Sequence, residues 1–215
     1  MTCTAGYLLS NHLSELRSGD CMESWEINGS TLEYDDETHT YLVDGIIVPS
    51  VTQILSVKFG GKYSQVDKET LKQAAVRGTN IHKEIETFCK EGSGEGVFIR
   101  NFKFLLKHYS LTPIENEVPV ILWKDEPIAA GRLDLIFDQD GETALADIKT
   151  TAALDKEYLA YQLNLYRIGY RQSYGIECTK LYGVHLREDK RKLVPIPVNE
   201  KLAWSIVDEY ERSIT

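Results

Sequence analysis

The sequence predicts an α/β fold: a mixed β-sheet flanked by helices, preceded by an N-terminal β-hairpin and a helical segment. Three observations carry this expectation. Apolar and β-branched runs between short polar turns stand at Val118–Trp123, Ile128–Phe137 and Ala144–Lys149. A segment of helical character, from about Leu154 to Tyr174, separates them from two further strand runs, Lys180–Leu186 and Leu193–Val198. The core order is therefore helix, three strands, helix, strand, which gives a mixed sheet with helices packed on it.

Each element has a local reason. Met1 to Gly29 carries the weakest pattern and reads as a poorly determined arm, so the domain proper is placed at residues 30–215. Thr31–Tyr34 and Thr40–Val43 read as paired strands around the polar turn Asp35–Thr38, and Asp44-Gly45 is a hairpin turn leading into Ile46–Val48. Pro49-Ser50 ends that strand. Ser50 with Gln53 makes a capping box, which starts a short helix over Val51 to about Val57. Gly60-Gly61 breaks the chain, and residues from about Asp67 to Cys89 have helical character. Glu91–Gly96 is a loop. Phe98 to about Tyr109 is an amphipathic helix, with Phe98, Phe102, Leu105 and Leu106 apolar at helical spacing. A last helix runs from about Glu200 to Arg212.

At 215 residues the chain suits one domain with a sizeable core. No apolar run approaches the length that spans a membrane. Met1 to Asp20 lacks a basic start followed by an apolar stretch, so no signal peptide is expected. Cys3, Cys21, Cys89 and Cys178 are scattered and read as reduced thiols of a cytoplasmic protein. The net charge of −9 argues against holding nucleic acid by bulk positive charge. It does not exclude a metal site, which needs clustered carboxylates; any DNA contact then has to come from a local basic patch.

Three short pieces carry chemistry. Gly131-Arg132-Leu133-Asp134 lies within a strand, Asp147-Ile148-Lys149 ends the next strand, and Gln162 through Tyr166 lies on the helix that follows. Strand residues two apart share a face, so Asp147 and Lys149 project together and Ile148 points into the core. Asp134 interrupts an apolar strand thirteen residues before Asp147. If the two strands form a hairpin, the carboxylates lie side by side and repel unless a cation joins them. Mg²⁺ takes such hard oxygen ligands, and a nearby lysine can orient or deprotonate an attacking water. The bland alternative is an ion pair at a strand end.

His82 and Glu86 stand one helical turn apart on a face with Ala74 and Gly78, where the missing side chain of Gly78 allows close approach. Gln162 and Tyr166 are likewise four apart, with Tyr158 one turn before. Each also has a plain reading: a packed or solvent-facing histidine, a surface glutamate, an aromatic core stripe.

Taken together, these pieces resemble the PD-(D/E)XK nuclease superfamily, specifically its RecB-type and phage exonuclease branch. That branch shows a G-x-x-D strand, a D/E-x-K strand, a Q-x-x-x-Y helix and an upstream helical histidine, which Arg77-Gly78 through His82 matches. His39 to Leu55, with Val48-Pro49-Ser50-Val51-Thr52, is similar to the front end of phage-encoded members. The resemblance covers roughly residues 30 to 186 and implies a restriction-endonuclease-like core. It further implies His82, Asp134, Asp147 and the Ile148 carbonyl as metal ligands and Lys149 as the catalytic lysine. Asp134 and Asp147 count with Lys149 as catalytic, while Gln162 and Tyr166 position DNA. Glu117, Glu86 and Tyr158 are secondary candidates. The implied cofactor is Mg²⁺, with Mn²⁺ substituting. Some members hold an iron–sulfur cluster by one early and three late cysteines; only Cys178 follows the core motifs here, so no cluster is expected.

The activity so implied is a metal-dependent DNA exonuclease of phage or bacterial recombination and repair. Its substrate is double- or single-stranded DNA with a free end, and Tyr158, Tyr161, Tyr166 and Arg167 are candidates to line a narrow channel for one strand, some of them being core. A single-strand annealing or recombination protein is compatible as partner, as is a homo-oligomer; no membrane is involved. Two alternatives share the fold: a site- or structure-specific endonuclease, and a catalytically silent DNA-binding member. A nucleotide-binding protein using Gly60-Gly61-Lys62 or Gly92–Gly96 is disfavoured, because no G-K-[ST] follows a strand.

Overall fold

The computed structural model describes residues 22–62 and 65–214. Strands β1 (Met22–Ile27), β2 (Ser30–Asp35), β3 (Thr40–Val43) and β4 (Ile46–Val48) form an antiparallel meander in that order. β1 lies within the stretch read as an arm: it pairs with β2 from Met22↔Asp35 to Ile27↔Ser30, so the sheet begins eight residues before residue 30. The Asn28-Gly29 turn that joins it to β2, with both residues at positive φ, was the signal available in the sequence. Residues 1–21, with Cys3 and Cys21, lie outside the described residues.

Helix α1 (Val51–Phe59) starts as expected: Ser50 Oγ accepts from Gln53 N–H at 3.0 Å, and Ser50 N–H donates to Gln53 Oε1 at 2.7 Å. Helix α2 (Lys68–Glu91) is capped by Asp67 and ends at Gly92, whose φ of 69° is the left-handed conformation glycine tolerates. It ends two residues past the expected Cys89, one residue into the expected loop. Helix α3 (Val97–His108) follows.

The second sheet runs β5 (Leu111–Trp123), β6 (Pro127–Gln139), β7 (Glu142–Lys149), β8 (Lys180–Leu186), β9 (Arg191–Ile196). Only β7 and β8 are parallel, and helix α4 (Lys156–Tyr174) supplies the crossover that a parallel pair needs. β5 starts seven residues before the expected Val118, accommodating Pro113 at a register shift between Pro113 and Glu115. β9 stops at Ile196 because Pro197 follows it. Helix α5 (Glu200–Ile214) closes the described chain.

The fold is thus α/β, a mixed sheet flanked by helices with an N-terminal antiparallel hairpin sheet. Strand periodicity places Leu145 on one face of β7 and Ala144, Ala146 and Ile148 on the other. The first face packs against Ile54 and Leu55 of α1, Leu163 of α4 and Ile206 of α5. The second packs against Ile81 and Ile85 of α2 and Phe102 and Leu105 of α3. Burying each such side chain contributes about 1.5–3 kcal/mol. A third cluster, with Leu32, Val43, Ile121 and Ala130, joins the N-terminal sheet to β5 and β6. There Ala130 N–H donates to the Pro49 carbonyl at 3.0 Å. No helix among the described residues is long and apolar enough to cross a membrane.

Candidate functional site

Three carboxylates stand on three neighbouring strands. The β5–β6 register pairs Asn116 with Leu135 and Val118 with Leu133, which sets Glu117 opposite Asp134. The β6–β7 hairpin turns at Asp140-Gly141 and pairs up to Leu135↔Ala146. Beyond that pair the ladder gives way, and Asp134 Oδ2 accepts the Ile148 N–H at 2.7 Å. Asp147, 2% exposed, lies one residue before that amide. Helix α2 brings His82 to the same place. Its Nε2 stands 3.1 Å from the Ile148 carbonyl, and its Nδ1 is 3.6 Å from Asp134 Oδ2. A Cβ on Gly78 would lie 3.5 Å from Thr150 Oγ1, so α2 does pass close to the end of β7 there.

Ligand atoms of His82, Glu117 and Asp134 all lie within 4.8 Å of one another. Glu117 is one of the three residues the sequence ranked as secondary, with Glu86 and Tyr158. Its φ of 51° puts a non-glycine residue in the left-handed region, a costly conformation that concentrates at functional sites. Burial, then the Asp134 charge, pushes its carboxyl up to about 7.

Asp147 Oδ2 is buried and finds no aligned hydrogen-bond donor among the described residues, although Lys149 Nζ lies 2.5 Å away. Burial raises the Asp147 pKa, Lys149 opposes this, and Asp134 adds to it. Burial works against the Lys149 ammonium, but the Asp147 and Asp134 charges outweigh it and raise its pKa. Lys149 is therefore a charged group at neutral pH, suited to orienting water or meeting a phosphate oxygen rather than to taking a proton. The donor set of carboxylates, an imidazole and a main-chain carbonyl fits a hard or borderline divalent cation. The buried Asp147 oxygen, which meets only the Lys149 ammonium among the described residues, is an atom such an ion would also satisfy.

One face of α4 runs past these groups. Tyr158 stands with its ring 5.7 Å from Lys149 Nζ. Tyr166 packs on Gly131, where a Cβ would lie 2.8 Å from Tyr166 Cε1. The glycine of the first motif thus makes room for the tyrosine of the last. Gln162 lies between them, 6% exposed, with its Oε1 unpartnered among the described residues. A buried acceptor left unpaired costs about 1–3 kcal/mol, and such atoms stand where a ligand donor can arrive.

Two expectations are corrected. Glu86 lies outside the three-residue cluster and pairs with Lys90 at 2.5 Å, as its one-turn spacing on α2 allows. Arg167, considered with Tyr158, Tyr161 and Tyr166 as a lining for DNA, is buried and turned away. Its Nε donates to the Cys178 carbonyl at 2.6 Å, and its guanidinium meets Glu177 and Glu200. Tyr161 accepts from Lys58 Nζ at 2.9 Å, the lysine that also pairs with Glu157.

Sequence reasoning also passed over Arg132, two residues before Asp134 on the same strand face. Its guanidinium lies 4.7 Å over the Tyr34 ring, 5.3 Å over Trp25, and 3.2 Å from Glu23. It ties the N-terminal sheet to the strand that carries Asp134. Its place beside the motif aspartate was the available signal, but its aromatic partners are distant in sequence.

No protein-family model and no curated protein match this sequence. Among solved structures the chain is similar to one described as "Crystal structure of SSO0001". The two share 17% identity over 78% of this chain and 74% of that one, with a TM-score of 0.45. No function is carried over from it.

Proposed function

We propose that this chain is a metal-dependent DNA nuclease of the PD-(D/E)XK type, acting in the cytoplasm as an exonuclease in recombination or repair. The observation that carries the reading is the convergence of Glu117, Asp134 and Asp147 from three adjacent strands on His82 and Lys149. Acids so close together, Asp147 buried and Asp134 and Glu117 half-buried, oppose folding unless a cation or protons join them. Mg²⁺ or Mn²⁺ held by His82, Asp134, Asp147, Glu117 and the Ile148 carbonyl would neutralise charge that builds on the scissile phosphate. Lys149, kept charged by Asp147, orients the attacking water and meets the same phosphate. Gln162 offers its free amide oxygen to an incoming donor, and Tyr158 and Tyr166 wall the site.

The exonuclease reading is supported by the α4 face, which resembles the end-processing branch. The net charge of −9 also disfavours a broad basic cleft that would grip duplex anywhere along its length. The test compares linear and covalently closed circular DNA, each with Mg²⁺, Mn²⁺ or chelator. Degradation of the linear form alone, only with metal, is expected. Rapid nicking of the circles would move the reading to an endonuclease, and intact DNA throughout would leave a silent DNA-binding member.

A further inference from the structure

In a chain with 33 acidic residues against 24 lysines and arginines, one surface has the opposite balance. Helix α3 carries Arg100, Lys103, Lys107 and His108 and no acid. Its buried side is Ile99, Asn101, Phe102 and Leu105, which leaves Arg100, Lys103, Phe104, Lys107 and His108 exposed at helical-neighbour spacing on the other side. Arg191 of β9 joins this stripe. Its Nη1 donates to Asn101 Oδ1 at 2.9 Å, and its guanidinium lies 4.0 Å over the Phe104 ring. The His108 ring stacks on Phe104 at 5.5 Å with an interplanar angle of 11°. Phe104 itself is 45% exposed, a large apolar ring that the fold leaves in solvent among cations. Arg100 and Lys107 form no ion pair among the described residues.

A cleft of about 290 Å³ lies beside the stripe, lined by Arg77 and Ile81 of α2, Phe98 of α3, Thr150, and Arg187, Glu188 and Asp189. Asp189 pairs with Arg187 at 3.6 Å, which leaves Arg77 as the other cation of the lining. Thr150 directly follows Lys149, and Phe98 lies in the first turn of α3, so the cleft has residues next to the candidate site at one side and next to the stripe at the other.

We propose that this stripe binds single-stranded DNA, with phosphates on Arg100, Lys107 and Arg191 and a base on the Phe104–His108 stack. The chemistry favours a single strand over a duplex. From Arg100 to Lys107 the cations span only about 10 Å of one helix, too narrow to follow two backbones. At their centre stand flat rings, which unpaired bases can stack on and duplex bases cannot reach. The inference rests on the nuclease reading only in taking DNA as the ligand, and it supplies the local basic patch that the net charge demands.

The test measures fluorescence anisotropy of a labelled single-stranded oligonucleotide of about 15 nucleotides, in chelator so that nothing is cut. The unmodified chain should bind with a strong salt dependence. Arg100→Glu combined with Lys107→Glu should weaken binding on the order of tenfold or more and flatten the salt slope by about 1.4, for two lost phosphate contacts. Phe104→Ala should weaken it about fivefold or more while leaving the salt slope unchanged. All three side chains are exposed, so an unchanged melting temperature and Mn²⁺ affinity verify that fold and site are intact. Equal affinity for both variants and the parent overturns the proposal. So does tighter binding of a blunt duplex with the same losses. A parent that binds through the stripe but cuts nothing with metal would sink the nuclease reading and leave the stripe standing; one that cuts while the variants bind normally would do the reverse.

Discussion

Glu117→Gln is the most direct probe of the carboxylate cluster, because glutamine keeps the size and removes the charge. Burial and Asp134 push the Glu117 carboxyl from 4.5 to about 7. At about 1.36 kcal/mol per pH unit, ionising it in the folded chain costs roughly 3 kcal/mol more than in the unfolded chain. The folded-state pKa is the higher one, so the folded chain holds a proton that the unfolded chain has released. The stability is fully present below about pH 4.5 and is lost as pH rises through about 7. In chelator near pH 8, Glu117→Gln should therefore be the more stable protein by about 2–3 kcal/mol. At this chain length that is a rise in Tm of roughly 5–10 °C. The gap should close toward pH 4.5, where both proteins are neutral at this position. Calorimetry across that range reads it directly. Saturating Mn²⁺ should reverse the order, since the parent gains the linkage free energy of a bound ion and the variant has lost a ligand. A Tm difference that stays constant from acid to alkaline pH in chelator would refute the reasoning.

Lys149→Ala should keep Mn²⁺ affinity, since a protonated amine cannot ligate a metal, and lose cleavage on the order of a hundredfold or more; near-parent rates would leave Lys149 as the ion-pair partner of Asp147 alone. His82→Ala removes the group that spans the Ile148 carbonyl and Asp134, so it should raise the Mn²⁺ concentration needed for half-maximal activity, and an identical metal titration would return His82 to packing. Gly131→Ala forces a methyl to 2.8 Å from the Tyr166 ring, which should cost about 1–3 kcal/mol in a denaturant melt. Combined with Tyr166→Ala that cost should largely vanish, and simple additivity of the two changes would show that the contact is not the cause.

How much of this was legible in the sequence depends on the range of the interaction concerned. The capping box at Ser50 and Gln53, the hairpin at Asp44-Gly45 and the shared face of Asp147 and Lys149 follow from spacings of two or three residues, and each stands in the structure as expected. The β6–β7 hairpin that sets Asp134 beside Ile148 and Asp147 was still local enough to anticipate. Glu117 was legible only as a secondary candidate, and Arg132 not at all. Glu117 reaches the cluster through the β5–β6 register and a left-handed φ, neither of which a single glutamate before a strand announces. Arg132 gains its meaning from Trp25, Tyr34 and Glu23, roughly a hundred residues away. Arg167 failed in the opposite direction: it was grouped with its neighbour Tyr166 as a lining, but adjacent helix residues point about 100° apart, and Glu177 and Glu200 hold it elsewhere.

The metal-free geometry explains why the cluster can be assembled before any ion arrives. Asp134 Oδ2 accepts the Ile148 amide, and His82 Nε2 meets the Ile148 carbonyl, so one peptide unit is gripped on both sides by two candidate ligands. The amide bond aims the Asp134 carboxylate, and no hydrogen bond holds Asp134 Oδ1 among the described residues. The imidazole contact does the same for His82: with Nε2 on the Ile148 carbonyl, Nδ1 is turned toward Asp134 Oδ2, 3.6 Å away, as a ligating histidine is oriented through its other ring nitrogen. Both side chains should therefore hold their positions when an ion binds. If that is so, His82→Asn, which can still hydrogen-bond the carbonyl but ligates poorly, should retain the parent's metal-free Tm and lose metal affinity. Asp134→Asn should lose both the affinity and part of the metal-free order around Ile148, read as faster amide exchange at that residue. Slow exchange at Ile148 in Asp134→Asn would show that the β6–β7 hairpin alone holds the peptide, and the grip ascribed to Asp134 would be wrong.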